Sequence, residues 1–242
     1  MAAAHEFALS VDIIPAGTRW RITDSGIIHR MRTVLRARAD DTILFFSANE
    51  YVRALICDIT DREIVVELSN RLPIVPLKPE IDLVLPFLER SACEEAVSGA
   101  TVLGVRRITF VRTQKSAPLQ LSPQLRERLH RVMIAAAEQS KQYCLPEIHE
   151  APHLIAALSP GATALFFHPT GIIIPDAMPR LEKAARLCAV VGPAGDLTPD
   201  EHHMLTQQGA CVLRLTPTIL RSEAAVMVGV GALRSVLQPT QL

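Results

Sequence analysis

Long apolar runs and paired cysteines are both missing from this 242-residue sequence. No apolar run approaches the roughly 18 residues needed to cross a bilayer, which argues against a membrane-spanning protein. The segment around His5 and Glu6 has no basic stretch leading into an apolar one, so no signal peptide is expected. The five cysteines form no CxxC pair, which argues against a disulfide framework or a zinc cluster. We therefore expect a cytoplasmic globular protein that holds no metal, and we interpret the cysteines as small buried hydrophobes: Cys57, Cys93, Cys144, Cys188 and Cys211.

Lysine is scarce, with only four lysines beside 21 arginines in a chain of zero formal net charge. The arginines cluster in two stretches, residues 19–38 and 106–131, where acidic side chains are few. Arginine carries a planar fork of donors that matches phosphates and stacks on bases, so these stretches favour an RNA partner. The alternative is that both are solvated faces of a protein that prefers arginine. The candidate RNA contacts are Arg19, Arg21, Arg30, Arg32, Arg36 and Lys115.

Three prolines within residues 73–79 separate two halves whose sequence patterns predict different secondary structure. Such a stretch favours extended backbone and predicts a linker. Before it, short β-like runs predict a small antiparallel sheet or barrel over residues 1–72, interrupted by one helix near 26–35. After it, strand and helix patterns alternate over residues 80–242, which predicts an α/β domain with a parallel sheet covered by helices.

Two helix starts are strongly signalled in the second half. Ser122 is a candidate N-cap followed by Pro123 at the first helical position. Thr198 is a second N-cap, followed by Pro199, and Glu201 three residues on predicts a capping box.

Gly192 and Gly195 lie between a predicted buried strand and the helix that Thr198 begins. Glycines let backbone amides approach a ligand closely, and α/β proteins bind ligands at this carboxyl edge of a parallel sheet. The alternative is an ordinary βα turn. The stretch matches neither a Walker A loop nor a GxGxxG fingerprint. A nucleoside triphosphate or a dinucleotide is therefore disfavoured as its ligand. Further on, Arg221 and Glu223 stand at the entry of the last helix, where they could also form a solvated salt bridge.

Together these two segments resemble the ribosomal RNA small subunit methyltransferase E family, within the SPOUT class of enzymes. The family's glycine turn is matched by Val191-Gly192-Pro193 with Thr198 and Glu201, and its C-terminal motif by Ile219-Leu220-Arg221-Ser222-Glu223 with Ala225. The resemblance covers essentially the whole chain. Further matches, in the family's order, are His29, Val34-Leu35-Arg36, Leu103-Gly104-Val105, Glu138-Gln139-Ser140 and Pro146-Glu147-Ile148.

Several positions depart from the family's pattern. The family has a glutamate where this chain has Ala194, and glycines where it has Asp196 and Thr216. The resemblance therefore supports the fold more strongly than the activity. The remaining departures are Val102 in place of a glutamate, and Gln142 and Lys115 in place of arginines.

The resemblance implies a PUA-like RNA-binding barrel over residues 1–72 and a SPOUT domain with a trefoil knot over residues 80–242. It implies a homodimer and a bound S-adenosylmethionine held among three loops, largely by backbone groups. The implied cofactor-binding residues are Phe167, His168, Pro169, Val191, Gly192, Pro193, Gly195, Leu197, Leu215, Thr216, Ile219 and Leu220.

The family's reaction is methylation of N3 of a uridine in the 16S rRNA of the small ribosomal subunit. The ring nitrogen of neutral uracil is a poor nucleophile until its proton is removed or its anion is stabilised. The resemblance implies that Arg221 stabilises this anion, and that Glu223 orients Arg221 or accepts the proton. Such a transfer uses no metal and no nucleophilic cysteine, because the sulfonium already supplies the leaving group.

Two other functions fit the sequence. The departures at Ala194, Asp196, Val102 and Gln142 are also consistent with an RNA-binding or ribosome-assembly protein that kept the fold without catalysis. A methyltransferase acting on a different RNA site is the third hypothesis. Cofactor binding separates the second hypothesis from the other two.

Overall fold

The structure is a computed structural model that describes residues 7–237. The chain divides into two compact units. The first contains the described residues up to Val75 together with Ala137–Cys144, and the second contains Pro76–Ala136 and the residues from Leu145 onward. Residues 137–144, which lie after the proline-rich stretch in the sequence, thus cluster with the N-terminal unit.

A five-stranded sheet forms the centre of the first unit. Across this sheet the order is β1-β3-β4-β5-β2, where the strands are β1 (Phe7–Ser10), β2 (Arg19–Ile22), β3 (Thr42–Phe46), β4 (Glu50–Ile59) and β5 (Ile64–Pro73). β1 pairs with β3 in parallel, and the other neighbours are antiparallel. The prediction of a small antiparallel sheet or barrel is therefore wrong for the β1–β3 pair, whose strands are separated along the chain by β2 and the helical connection.

The helical connection of the first unit consists of α1 (Ser25–His29) and a π-helical turn over Arg30–Val34. α1 begins at Asp24, whose side chain accepts a 2.8 Å hydrogen bond from the backbone N–H of Ile27. This start satisfies one of the free amides of the first turn. The short helix expected near residues 26–35 is thus present.

Side-chain contacts explain why residues 137–144 belong to the first unit. The carboxylate of Glu138 accepts a 3.0 Å hydrogen bond from the backbone N–H of Ser10 and pairs with the guanidinium of Arg30. The ring of Tyr143 stacks on Phe46 with 4.7 Å between centroids. Neither contact has a local sequence signal, because the partners are about a hundred residues apart.

A six-stranded sheet forms the centre of the second unit. Its order is β11-β9-β10-β6-β7-β8, and every neighbouring pair is parallel. The predicted α/β class with a parallel sheet is confirmed. The elements are β6 (Glu80–Pro86), α2 (Arg90–Val102), β7 (Arg107–Val111), α3 (Pro123–Ser140), β8 (Glu147–Ala151), a 3₁₀ turn (Ile155–Ala157), β9 (Thr163–Ile173), α4 (Ile174–Leu181), β10 (Arg186–Val190), α5 (Pro199–Gln207), β11 (Cys211–Arg214) and α6 (Ser222–Leu237).

Both faces of the six-stranded sheet are buried. Leu83 and Leu85 of β6 point into a core shared with α2, α3, α4 and α6, while Val84 points into a second core shared with α5. Because side chains alternate along a strand, a sheet covered on both faces needs apolar residues at nearly every position. The run from Ile81 to Leu85 satisfies this except at Asp82, which is paired with Arg106.

The helix starts follow their sequence signals. The hydroxyl of Ser122 accepts a 3.2 Å hydrogen bond from the N–H of Leu125, as an N-cap of α3 should. Thr198 and Glu201 form a complete capping box at α5. None of the described helices has the length and hydropathy needed to cross a membrane.

The side chain of Arg234 is buried within α6 and reaches the far end of α2. Its guanidinium donates to the carbonyls of Leu103 at 3.0 Å, Gly104 at 2.7 Å and Pro79 at 2.6 Å. Burial lowers the pKa of Arg234 to about 10, which corresponds to a desolvation cost of about 3 kcal/mol. The three carbonyls give the buried guanidinium hydrogen-bond partners, and hydrogen bonds to charged groups are the stronger ones. Arg234 therefore fastens α6 to the C-terminal end of α2.

The cysteines occupy different environments. Cys93 and Cys188 are buried, and burial raises the pKa of both thiols, as expected for small core side chains. Cys57 is exposed, so the same interpretation is wrong for this residue. Its neighbour Ile56 takes the inward position of β4, which leaves Cys57 on the outward side of the strand.

Candidate functional site

A cavity of about 910 Å³ opens at the carboxyl edge of the six-stranded sheet. Its walls come from the segments that follow β6, β7, β10 and β11, and from the middle of β9. Because these strands are parallel and adjacent, the segments after them meet at one edge of the sheet. Within residues 7–237, no three His, Cys, Asp or Glu side chains are grouped to hold a metal ion.

Nearly all of the residues implied by the family resemblance line this cavity. The exception is Leu197, which is buried in the core with Val84 and Leu205 instead. Its backbone still belongs to the glycine turn, but its side chain points into the protein. The lining residues are Phe167, His168, Pro169, Val191, Gly192, Pro193, Gly195, Leu215, Thr216, Ile219 and Leu220, together with Arg221 and Glu223.

The segment 167–169 was expected to be a loop but lies within β9. The pairing of β9 with β11 passes directly from Phe166 to Ile172, so residues 167–171 leave the ladder and form an excursion from the strand. The excursion ends at Gly171, where an added Cβ would lie 2.6 Å from the backbone of Leu213. Glycine is needed here because the backbones of β9 and β11 approach too closely for any side chain.

The glycine turn after β10 folds back on itself. Asp196 has a φ of +60°, and its Oδ1 accepts a 2.8 Å hydrogen bond from the N–H of Leu197. An added Cβ on Gly192 would lie 2.7 Å from this same oxygen, so only glycine leaves room for the carboxylate. The ammonium of Lys115 donates a 2.6 Å hydrogen bond to the carbonyl of Gly195. Lys115, a candidate RNA contact, is thus bound to the turn.

Two hydrogen bonds formed by buried side chains join neighbouring segments of the site. The hydroxyl of Ser222 donates a 2.7 Å hydrogen bond to the carbonyl of Gly192, which links the start of α6 to the glycine turn. The carboxylate of Glu201 completes the capping box and also accepts a 2.9 Å hydrogen bond from the backbone N–H of Gln114. The segments after β7, β10 and β11 are therefore one hydrogen-bonded unit.

Arg221 and Glu223 stand at the rim of the cavity. Arg221 is exposed, and Glu223 is half-buried in the first turn of α6. Neither side chain forms a hydrogen bond or an ion pair within the part of the chain that the structure describes. Both side chains therefore line the cavity without a protein partner among the described residues, and Glu223 does not hold Arg221 in place.

The candidate RNA contacts of the first unit fall into two groups. Three arginines pair with acids: Arg21 with Glu63, Arg30 with Glu138, and Arg32 with Asp61. Arg19 and Arg36 are exposed, and Arg36, with a φ of +54°, shares a shallow concavity of about 480 Å³ with Arg38.

One wall of the cavity was missed by sequence reasoning. It consists of Leu88 and Glu89, between β6 and α2, and of Ser91 and Glu95 at the start of α2. The available signal was the predicted strand at β6, because the segment after every strand of a parallel sheet reaches the same edge. That wall is closer to the glycine turn than the sequence suggests, since β6 lies directly beside β10.

Comparisons with known proteins agree with this geometry. Ribosomal RNA small subunit methyltransferase E of Mycobacterium bovis and that of Mycobacterium tuberculosis are each 27% identical to this chain over 237 residues, 92% of this chain and 88% of theirs. A crystal structure of ribosomal RNA small subunit methyltransferase E from Neisseria gonorrhoeae, bound to S-adenosyl methionine, has a TM-score of 0.80 at 18% identity and covers 96% of this chain and 98% of that one.

A second solved structure shares the fold. The putative methyltransferase from Legionella pneumophila, in complex with the cofactor SAM, has a TM-score of 0.78 at 18% identity, covering 96% of this chain and 98% of its own. The resemblance to ribosomal RNA small subunit methyltransferase E is confirmed. A family model described as RNA methyltransferase domain matches residues 76–234, and the chain belongs to this RNA methyltransferase family.

Proposed function

We propose that this protein transfers a methyl group from S-adenosylmethionine to N3 of a uridine in the 16S rRNA of the small ribosomal subunit. The observation that carries the proposal is the cavity at the carboxyl edge of the parallel sheet, where the glycine turn meets Arg221 and Glu223. Membership of the RNA methyltransferase family and the names of the curated relatives support the reaction and its substrate class.

The residues of the cavity fit S-adenosylmethionine. Phe167, Val191 and Leu220 offer apolar surface for an adenine ring, and the glycine turn offers backbone groups for its polar edge. The turn is held in place by Lys115 and Ser222, so these backbone groups are fixed before a ligand arrives. When bound, the cofactor supplies an electrophilic methyl group on a sulfonium.

The chain's own side chains would then act on the uracil. Arg221 stabilises the negative charge that develops on the base, and its fork of donors suits the two carbonyl oxygens beside N3. Glu223 accepts the N3 proton, the role that its lack of contact with Arg221 favours over an orienting one. The role of the protein is thus to position the uracil and to stabilise the negative charge that develops on it.

The finer features of the family belong to the same proposal. The sheet and exposed arginines of the first unit support a PUA-like RNA-binding barrel, and membership of the RNA methyltransferase family supports a trefoil knot in the second. Exposed apolar side chains on α6, Met227 and Val228, support a homodimer, which light scattering of the purified protein would test. A cytoplasmic location follows from the proposed ribosomal substrate.

S-Adenosylmethionine is expected to stabilise the folded protein. A ligand that binds only the native state adds about 2.7 kcal/mol at a concentration one hundred times its Kd. Thermal melts over a series of cofactor concentrations, with calorimetry alongside, would measure this effect. If saturating cofactor gives neither a shift nor heat, the RNA-binding hypothesis without catalysis replaces the enzyme.

The target nucleotide can be identified directly. Mass spectrometry of 16S rRNA from cells with and without the gene is expected to show one 3-methyluridine that depends on it. Purified protein with cofactor should restore this modification on small subunits from the deletion strain. A different methylated nucleotide would establish the third hypothesis, a methyltransferase for another RNA site.

RNA binding is expected to depend on Arg36 and Arg38, because they are exposed and share one concavity. The double substitution to alanine should weaken RNA binding. It should also reduce the slope of log affinity against log salt by about 1–2, because binding releases about one counterion fewer for each phosphate contact that is lost. Arg53→Ala, an exposed arginine on β4 outside residues 19–38, is the matched control. An unchanged slope in the double variant would show that this patch is only solvated surface.

A further inference from the structure

The glycine turn of this chain keeps a carboxylate, but at a different position from the family's pattern. The resemblance leads one to expect glutamate at 194 and glycine at 196, whereas the chain has Ala194 and Asp196. Asp196 adopts a φ of +60°, a left-handed conformation that favours glycine and that aspartate tolerates better than most residues. A side chain at such a position carries a conformational cost, and its contacts must offset that cost.

Both oxygens of Asp196 are engaged. Oδ1 accepts the hydrogen bond from Leu197, and Oδ2 lies 2.9 Å from Nε2 of His168. Nδ1 of His168 accepts a 3.2 Å hydrogen bond from the backbone N–H of Thr170, so it carries no proton. The hydrogen-bond pattern therefore assigns the Nε2–H tautomer, in which His168 donates to Asp196.

The imidazole of His168 is fixed on its faces as well as its edges. It stacks on Phe166 with 5.4 Å between ring centroids and lies 5.0 Å from the ring of His202. The hydroxyl of Thr170 lies 2.7 Å from Nδ1, within the same excursion of β9. A donor held this firmly gives its hydrogen bond a defined direction.

We propose that Asp196 and His168 are positioning residues that clasp the glycine turn to the β9 excursion, two segments that both line the cofactor cavity. The clasp holds both in the geometry that binds S-adenosylmethionine, so it rests on the proposed function. The carboxylate missing at position 194 is replaced from position 196, and the departures in this turn are compatible with full activity. Gly192 is also required for the clasp, because any side chain at this position would displace the carboxylate of Asp196.

Asp196→Gly tests the clasp without threatening the fold. Glycine relieves the cost of a φ of +60° while the carboxylate's two contacts are lost, so the melting temperature without ligand should change little. The Kd and KM for S-adenosylmethionine should rise about tenfold while kcat stays within about twofold, because the loss falls on cofactor binding rather than on the reacting groups. His168→Ala should have the same effect, and the double variant should be no worse than either single one.

Two further variants make the result specific. His168→Gln should recover part of the affinity, because its amide can donate to Asp196 where alanine cannot. Asp200→Asn removes an exposed carboxylate of α5 that does not line the cavity, and it should bind the cofactor as the wild type does. If wild-type protein binds no cofactor in calorimetry, the proposed function and the clasp both fail. If wild type binds but Asp196→Gly binds equally well, or if the effects of the two single variants simply add, the clasp alone is overturned.

Discussion

Arg221→Ala is expected to lower methyl-transfer turnover by about 10²–10³-fold, the usual loss when one preorganised donor to a developing charge is removed. Cofactor affinity should remain nearly intact, because Arg221 stands at the rim of the cavity and its side chain forms no hydrogen bond or ion pair with the described residues. Single-turnover methylation of small ribosomal subunits, with calorimetric titration of S-adenosylmethionine, measures the two quantities separately.

The Arg221 prediction has two internal controls. Arg221→Lys should recover little activity, because an ammonium group does not reproduce the planar fork of the guanidinium. Arg214→Ala removes another exposed arginine at the end of β11, one that does not line the cavity, and should turn over normally. A lowered melting temperature or unchanged methylation in Arg221→Ala would make Arg221 a structural or a dispensable residue.

Arg234→Met should lower the free energy of unfolding by about 3 kcal/mol. The substitution removes hydrogen bonds to the carbonyls of Pro79, Leu103 and Gly104, and it leaves the buried carbonyl of Gly104 without this donor. Losing such bonds costs about 1.5–3 kcal/mol each. Part of that loss is offset because a buried guanidinium, whose pKa falls to about 10, no longer has to be desolvated. Urea denaturation of the cofactor-free protein measures the difference.

Arg131→Met is the matched control for Arg234. Arg131 is an exposed arginine of α3 whose nearest acid, Glu127, lies 4.0 Å away, so its replacement should change the free energy of unfolding by less than about 0.5 kcal/mol. Equal stability of Arg234→Met and wild type would mean that desolvation cancels the three hydrogen bonds.

Local signals predicted much of this molecule. The capping box of Thr198 and Glu201 and the N-cap of Ser122 depend on residues within three positions of each other, so the sequence contains the whole interaction. The alternation of apolar strands and helices likewise predicted the parallel sheet, because a strand buried on both faces is recognisable from its own run of apolar residues. The glycine turn and Arg221 came together at the cavity for the same reason: both follow strands of one parallel sheet.

What escaped prediction depends on contacts between distant segments. The place of residues 137–144 in the first unit rests on Glu138 and Tyr143, whose partners lie near the start of the chain. The parallel pairing of β1 with β3 has no signal in either strand alone. The clasp between His168 and Asp196 requires knowing both the excursion of β9 and the left-handed backbone at Asp196. Each is a property of the assembled sheet.

The close approach at Gly171 limits how this protein can vary. Ala194, which lines the cavity from the glycine turn, is exposed and can accept another side chain without a clash inside the protein. Gly171 cannot, since even a methyl group would collide with the backbone of Leu213 and separate β9 from β11. The neighbouring strands β9 and β11 both contribute to cavity walls, so substitution is tolerated at exposed turn positions such as Ala194 and is excluded at Gly171, where the two backbones meet.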